Sequence, residues 1–149
     1  MILRRYKGGT YKGSLMANKR IAIIGAGPAG LMAAEVLSQY HYDIEIYEQK
    51  PSAARKFLMA GKTGLNISHA EPVEMFIQRY DHAAWLGPWI KQCDAAWIQN
   101  WMQGLGIESY IGSSGRVFPV EMKAAPLLRA WLKRLIANGV KFHYRHRCV

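Results

Sequence analysis

The feature that most restricts what this chain can fold into is a hexapeptide, Gly25-Ala26-Gly27-Pro28-Ala29-Gly30, directly behind the apolar run Ile21-Ala22-Ile23-Ile24. That run is short and rich in β-branched residues, which suits a buried parallel strand. Ala29 to Gln39 reads as a helix, with Leu31, Met32, Ala34, Glu35 and Leu37 free of breakers. Asp43 to Glu48 alternates Ile44 and Ile46 with Glu45 and Tyr47, the pattern of a second strand. Strand, glycine turn, helix and strand form a βαβ unit whose crossover is expected to be right-handed. Each glycine of the G-x-G-x-x-G spacing has a physical task. Gly25 permits the tight turn, Gly27 lets a pyrophosphate approach the backbone, and Gly30 lets the helix pack close to the strand. The N–H groups of the first helical turn, reinforced by the helix dipole, then face the anion.

Glu48 ends the second strand, 18 residues after Gly30. There a carboxylate accepts hydrogen bonds from the ribose hydroxyls of an adenosine. The same charge repels a 2′-phosphate, an effect that Lys50 partly offsets. Strand, turn, helix, strand and acid in register predict an α/β fold, a Rossmann-like βαβ domain that binds FAD or NAD(P). A rival phosphate motif fails: Gly61-Lys62-Thr63 imitates the tail of a P-loop, but Lys56 stands where its first glycine belongs and no clear strand precedes it.

Further along, Pro51 to His69 reads as a long loop carrying Gly61, Gly64 and Asn66. Val73–Tyr80 and Asp94–Gln103 read as helices, the second stopped by Gly104. Trp97, Ile98, Trp101, Met102 and Leu105 share one helical face, the usual mark of core. Glu108–Ile111 and Arg116–Val120 flank Gly112-Ser113-Ser114-Gly115 as a hairpin. Leu127, Leu128, Trp131, Leu132, Leu135 and Ile136 then repeat at the helical period, from near Pro126 to Gly139, and Val140–Val149 reads as a final strand. The expected architecture is an incomplete Rossmann-like domain with an inserted helical segment and β-hairpin. Residues 1–15 carry Arg4, Arg5, Lys7 and Lys12 without an acid and read as a basic N-terminal extension; 16–149 is the cofactor-binding region.

Charge adds a second possibility. Lys and Arg number 20 against 10 Asp and Glu, a net charge of +10, which suits an anionic partner without choosing among nucleic acid, acidic membrane and phosphate ligand. Lys123, Arg129, Lys133, Arg134, Lys141, Arg145 and Arg147, near Trp131, Phe142 and Tyr144, make a non-catalytic nucleotide- or nucleic-acid-binding fragment the alternative function. Against it, Arg129, Lys133 and Arg134 fall opposite the apolar stripe, as on any solvated helix face, and no RRM, KH or zinc signature is present. Cys93 and Cys148 match no metal or disulfide spacing, and a reduced cytoplasmic setting is expected. His143 and His146, three apart on the expected strand, point to opposite faces, so no metal site is assigned. Lys19-Arg20 before Ile21–Ala34 imitates an export signal, but its glycines and Pro28 make a poor signal helix, and no membrane span is expected.

Three stretches together resemble a known family. They are Ile23 to Ala34 with Glu48, Lys50, Pro51 and Ser52; Arg55-Lys56-Phe57-Leu58-Met59-Ala60-Gly61-Lys62-Thr63-Gly64-Leu65-Asn66-Ile67-Ser68-His69; and Gly115-Arg116-Val117-Phe118-Pro119. From about Ala17 onward the chain resembles the BaiN/YhiN-type bacterial flavoproteins, a branch of the FAD-dependent oxidoreductases. The resemblance implies that the adenosine half of FAD is held by the glycine turn and by Glu48, Gln49 and Lys50. It puts Arg55 and Lys56 near the pyrophosphate or ribitol, Gly64, Leu65 and Asn66 near the flavin, and the last strand, with Val149, beside the adenine. Charge logic supports the basic pair, since two cations leaving the acid-bearing strand neutralise a diphosphate. Ala54 stands where many relatives carry glycine, and Thr63 replaces another, so both side chains crowd the cofactor loop. The implied activity is hydride transfer between FAD and an organic small-molecule substrate, with NAD(P)H as the electron source. No catalytic residue is assigned, because in such enzymes the isoalloxazine does the redox chemistry. Relatives continue through a substrate domain and a C-terminal segment, so the chain reads as an N-terminal portion, inactive alone. Trp97, Trp101 and the apolar face of Leu127–Ile136 are then expected to lack their covers.

Overall fold

The computed structural model describes residues 19–149; the basic extension read at 1–15 lies outside them. β1 (Arg20–Ile24), α1 (Pro28–Leu37) and β2 (Asp43–Glu48) form the expected βαβ unit. β1 and β2 pair in parallel, Ile21 beside Ile44 and Ile23 beside Ile46, so these four isoleucines line the helix side. The chain then leaves this sheet. It makes α2 (Arg55–Ala60), β3 (Ser68–His69), α3 (Val73–Ile77), α4 (Ala83–Gln92), α5 (Ala95–Gly104), β4 (Ser109–Ile111), β5 (Arg116–Pro119) and α6 (Ala124–Ala137), and it returns as β6 (Lys141–Tyr144). β6 pairs in parallel with the free side of β2, giving the order β1-β2-β6. The insertion carries its own antiparallel sheet, β3-β5-β4.

α6 locks the two parts together because its apolar face is wide enough to serve two cores. Leu128, Trp131 and Leu135 pack with Leu31, Ala34, Ile44 and Ile46 between the parallel sheet and its helices. Ala124 and Leu127 pack with Leu65, Met102 and Val117 under the small sheet. Trp131 lies edge-on to Trp101, ring centres 4.8 Å apart, and donates its Nε1–H to Glu35 at 3.1 Å. The expectation of bare faces is therefore corrected. Leu127, Leu128, Trp131 and Leu135 are buried and Trp97 and Trp101 half-buried, while only Ile136 of that helical stripe is exposed. Arg134, expected on a solvated face, instead pairs with Glu35 of α1 at 2.6 Å.

Other boundaries move for local reasons. The last strand ends at Tyr144 rather than Val149, because Arg145 adopts φ 61°, a left-handed conformation that breaks a ladder. That turn also corrects the separation of the histidines: alternation stops at Arg145, and the rings of His143 and His146 come within 5.7 Å. The stretch Pro51–His69 is not all loop, since it holds α2 and β3. α4 carries no clear sequence signal, since Gly87 and Pro88 interrupt its pattern; yet Gly87 is where Ile77 of α3 packs, 3.4 Å from where a Cβ would stand. Gly104 belongs to α5, and Gly106, at φ 75°, is the left-handed residue past its end. Among the described residues no helix is long and apolar enough to cross a membrane.

Candidate functional site

The site is built at the carboxyl ends of β1 and β2. Gly25 takes φ 99°, a conformation that side chains disfavour, and its N–H donates to Tyr47 C=O at 2.8 Å, closing the ladder as the chain turns. Gly30 sits so close to this turn that a Cβ there would stand 2.0 Å from Gly25 O. Gly27 is the opposite case: its backbone is extended and a Cβ would meet nothing within 4 Å. The third glycine therefore serves packing, and the second leaves open space over the turn.

That space lies at an uncapped helix end. No side chain caps α1, and its first turn holds no acid. The first backbone bond runs from Leu31 N–H to Gly27 C=O at 2.9 Å, so the N–H groups of Ala29 and Gly30 point out of the helix end as donors, while Pro28 supplies its pre-set φ and no N–H. A cradle of this kind, with donors, dipole and no bulk, fits a pyrophosphate.

Glu48 is bound into the same turn. Its Oε2 accepts from Ala26 N–H at 2.9 Å and its Oε1 from Lys50 N–H at 2.8 Å. One carboxylate thus orients both the glycine turn and the chain leaving β2, and each oxygen retains a lone pair for a further donor. Its ladder neighbour Tyr144 has its phenol pushed up by burial and then by the Glu48 charge, so it stays a neutral donor group. The exit of β6 is fastened here too, by His146 N–H to Glu48 C=O at 3.0 Å and Arg145 N–H to Lys50 C=O at 3.2 Å. The sequence shows no sign of that clasp.

The basic loop reaches the turn through its backbone. Ala54 N–H donates to Ala26 C=O at 2.8 Å, and Ala54 itself is left-handed, φ 51° and ψ 36°. That conformation favours glycine, so the alanine here is held in a left-handed backbone by its surroundings. Arg55 and Lys56 follow at once and are exposed, as are Gln49 and Lys50. Gly64, Leu65 and Asn66 are organised elsewhere. Gly64 has φ 144°, Leu65 N–H bonds Met122 C=O at 2.9 Å, and the Leu65 side chain is buried in the second core, leaving Asn66 exposed. Val149 lies past the end of β6 and is fully exposed. Gly61, the glycine of the P-loop imitation, is a packing residue, since a Cβ there would be 2.5 Å from Ala124 Cβ.

Comparison with known proteins agrees with this fold. Residues 19–149 match the family described as the HI0933-like protein Rossmann domain. A stretch of 32 residues is 56% identical to the NAD-dependent dihydropyrimidine dehydrogenase subunit PreT of Salmonella typhimurium and to its homolog in Salmonella typhi, covering 22% of this chain and 8% of each relative. Among solved structures, THI4 of Thermovibrio ammonificans superposes with a TM-score of 0.52 at 16% identity, over 85% of this chain and 38% of that one. An oxidoreductase from Methanosarcina mazei gives a TM-score of 0.44 at 16% identity, over 85% of this chain and 51% of that one. The chain spans well under two thirds of the length of these relatives.

Proposed function

Since the chain belongs to the HI0933-like family, whose Rossmann domain it contains, we propose that it binds FAD and is the cofactor-gripping part of a flavin-dependent oxidoreductase of the BaiN/YhiN type. The single observation that carries this reading is the union of an uncapped, side-chain-free turn at Gly27 with a Glu48 carboxylate held against Ala26. The turn supplies N–H donors to the pyrophosphate. The free lone pairs of Glu48 take the ribose hydroxyls, and its charge disfavours a 2′-phosphate. Arg55 and Lys56 neutralise the diphosphate from the α2 side. Bound flavin would supply the hydride chemistry; the chain's own residues bind and orient it. NAD(P)H as electron source, an organic substrate and a cytoplasmic setting complete the proposal, the name of the PreT relatives supporting the nicotinamide.

A fluorescence titration with FAD, with ADP as competitor, tests it. Binding that ADP displaces, and that Glu48→Gln weakens about tenfold, about 1.4 kcal/mol, supports the reading. A folded chain whose FAD affinity ignores both ADP and Glu48→Gln overturns it.

A further inference from the structure

Three strand ends stand in a row. The order β1-β2-β6 sets the glycine turn after β1, Glu48 at the end of β2 and Tyr144 at the end of β6 side by side, each step about 4.8 Å. Glu48 and Tyr144 are register partners, so their side chains leave the sheet on one face. It is the helix face, because Ile46 and Phe142, two residues earlier on the same strands, pack there into the first core. Glu48 is bound to the turn through Ala26 N–H, and Tyr144 lies on its other side. The tyrosine is half-buried against that core and near-parallel to Phe142, ring centres 5.9 Å apart at 17°. The chain beyond it is tied to Glu48 C=O by His146 N–H and to Lys50 C=O by Arg145 N–H, and His146 Nδ1 lies 2.8 Å from Tyr144 C=O. Arg145 makes its bond from φ 61°, a conformation that disfavours side chains. Such backbone persists where its surroundings over-determine it, and it clusters at ligand sites.

Resting on the reading that phosphates lie on the turn and a ribose on Glu48, we propose that the Tyr144 ring is the platform on which the base of the nucleotide stacks. A nucleotide laid from the turn across Glu48 carries its base onward to the end of β6. An aromatic face receives any base, and a purine, with two fused rings, covers more of it than a pyrimidine. Burial, and then the Glu48 charge, keep the phenol neutral, so no phenolate faces the phosphates. The family resemblance sets Val149 beside the adenine. Val149 is fully exposed past the end of β6, whereas Tyr144 stands next to the acid that takes the ribose. The clasp at Arg145 and His146 fixes the ring relative to that acid before any ligand arrives, which lowers the ordering cost of binding.

Titration of the full chain with ADP and with UDP tests this, and the unmodified chain is expected to prefer ADP severalfold. Tyr144→Leu keeps the apolar bulk and removes the ring. It is expected to weaken ADP about tenfold and to bring the ADP-to-UDP ratio toward one. Tyr144→Phe keeps the ring and is expected to bind ADP within about twofold of the parent. Glu48→Gln is expected to weaken both nucleotides equally and leave their ratio unchanged, which separates the ribose contact from the base contact. In the unmodified chain, nuclear Overhauser contacts are expected between the Tyr144 ring and the adenine ring protons, a readout that holds even if leucine disturbs the core. ADP binding undiminished in Tyr144→Leu, a phenylalanine variant as weak as the leucine one, or no contact between ring and base overturns this proposal and leaves the turn and Glu48 in place. A chain that binds neither nucleotide overturns the cofactor site itself, and the platform with it.

Discussion

The glycine turn assigns different tasks to two residues of the same type, and alanine at each separates them. In Gly30→Ala the new methyl would stand 2.0 Å from Gly25 O and 3.3 Å from Ile23 Cγ2. The first obstacle is backbone, which cannot rotate away, so α1 must lift from β1 by about 1 Å, and over-packing of this kind costs ~1–3 kcal/mol. The upper end applies here, offset by the ~1 kcal/mol that alanine gains over glycine inside a helix. A net loss of about 2 kcal/mol follows, a fall in Tm of about 4–8 °C for a chain of this size. In Gly27→Ala the backbone is extended and the methyl meets nothing. Its poorer capping and its smaller unfolded-state entropy roughly cancel, to within about 0.5 kcal/mol. The same methyl fills the space through which a pyrophosphate approaches, and FAD affinity is expected to fall at least tenfold. Urea unfolding followed by circular dichroism measures the first effect, and FAD fluorescence quenching the second. Gly30→Ala as stable as the parent would refute the packing geometry; Gly27→Ala binding FAD like the parent would refute the turn as the phosphate site.

Gly115→Ala combines φ 77° with a Cβ only 2.7 Å from the His69 ring, and is expected to cost about 2 kcal/mol or more in urea melts; a neutral result would mean that His69, held 2.9 Å from Ser114 C=O, does not clamp this turn. Trp131→Ala empties the seam between the two cores and is expected to cost ~3–5 kcal/mol, whereas Trp131→Phe loses mainly the bond to Glu35, about 1 kcal/mol. Ala54→Gly relieves a left-handed alanine at the cost of unfolded-state entropy, and a gain of about 0.5 kcal/mol is expected; a loss would show the strain absent. The Lys141 ammonium beside Asp43 lowers that carboxyl, and the Tyr47 hydroxyl, followed by His143, lowers Glu45. Groups depressed in the folded state stabilise above their unfolded values and lose that contribution as pH falls through the folded ones, so urea midpoints are expected to drop below about pH 4. Lys141→Met should flatten that slope, and an unchanged slope would deny the pair its role.

The βαβ unit was legible in the sequence because each of its signals is local. A β-branched run, three glycines at fixed offsets and an acid at a strand end each act through their neighbours; Gly25 and Gly30 take the turn and packing places their spacing predicts, and Glu48 ends β2 against the turn. The bare helix faces were misjudged because the partners of α6 come from far along the chain. Trp131 finds Glu35 and Ile46, which no window around α6 contains. α4 stayed hidden for the converse reason. Gly87 and Pro88 are unfavourable within any helical window, and only packing against Ile77 makes a small residue useful there.

The site shows most clearly how local and distant effects meet. Ala26 uses both of its backbone polar groups on other segments: its N–H on the Glu48 carboxylate, and its C=O on Ala54 N–H. The glycine turn, the Glu48 carboxylate and the start of α2 are therefore tied together through one residue. Arg55 and Lys56 begin α2 directly after this bond, which Ala54 makes from a left-handed backbone. A side chain at a left-handed position, disfavoured there, thus sits at the joint between the turn and α2. On the proposed reading, Ala54 therefore bears on the cofactor site through its backbone bond to Ala26 rather than through its methyl.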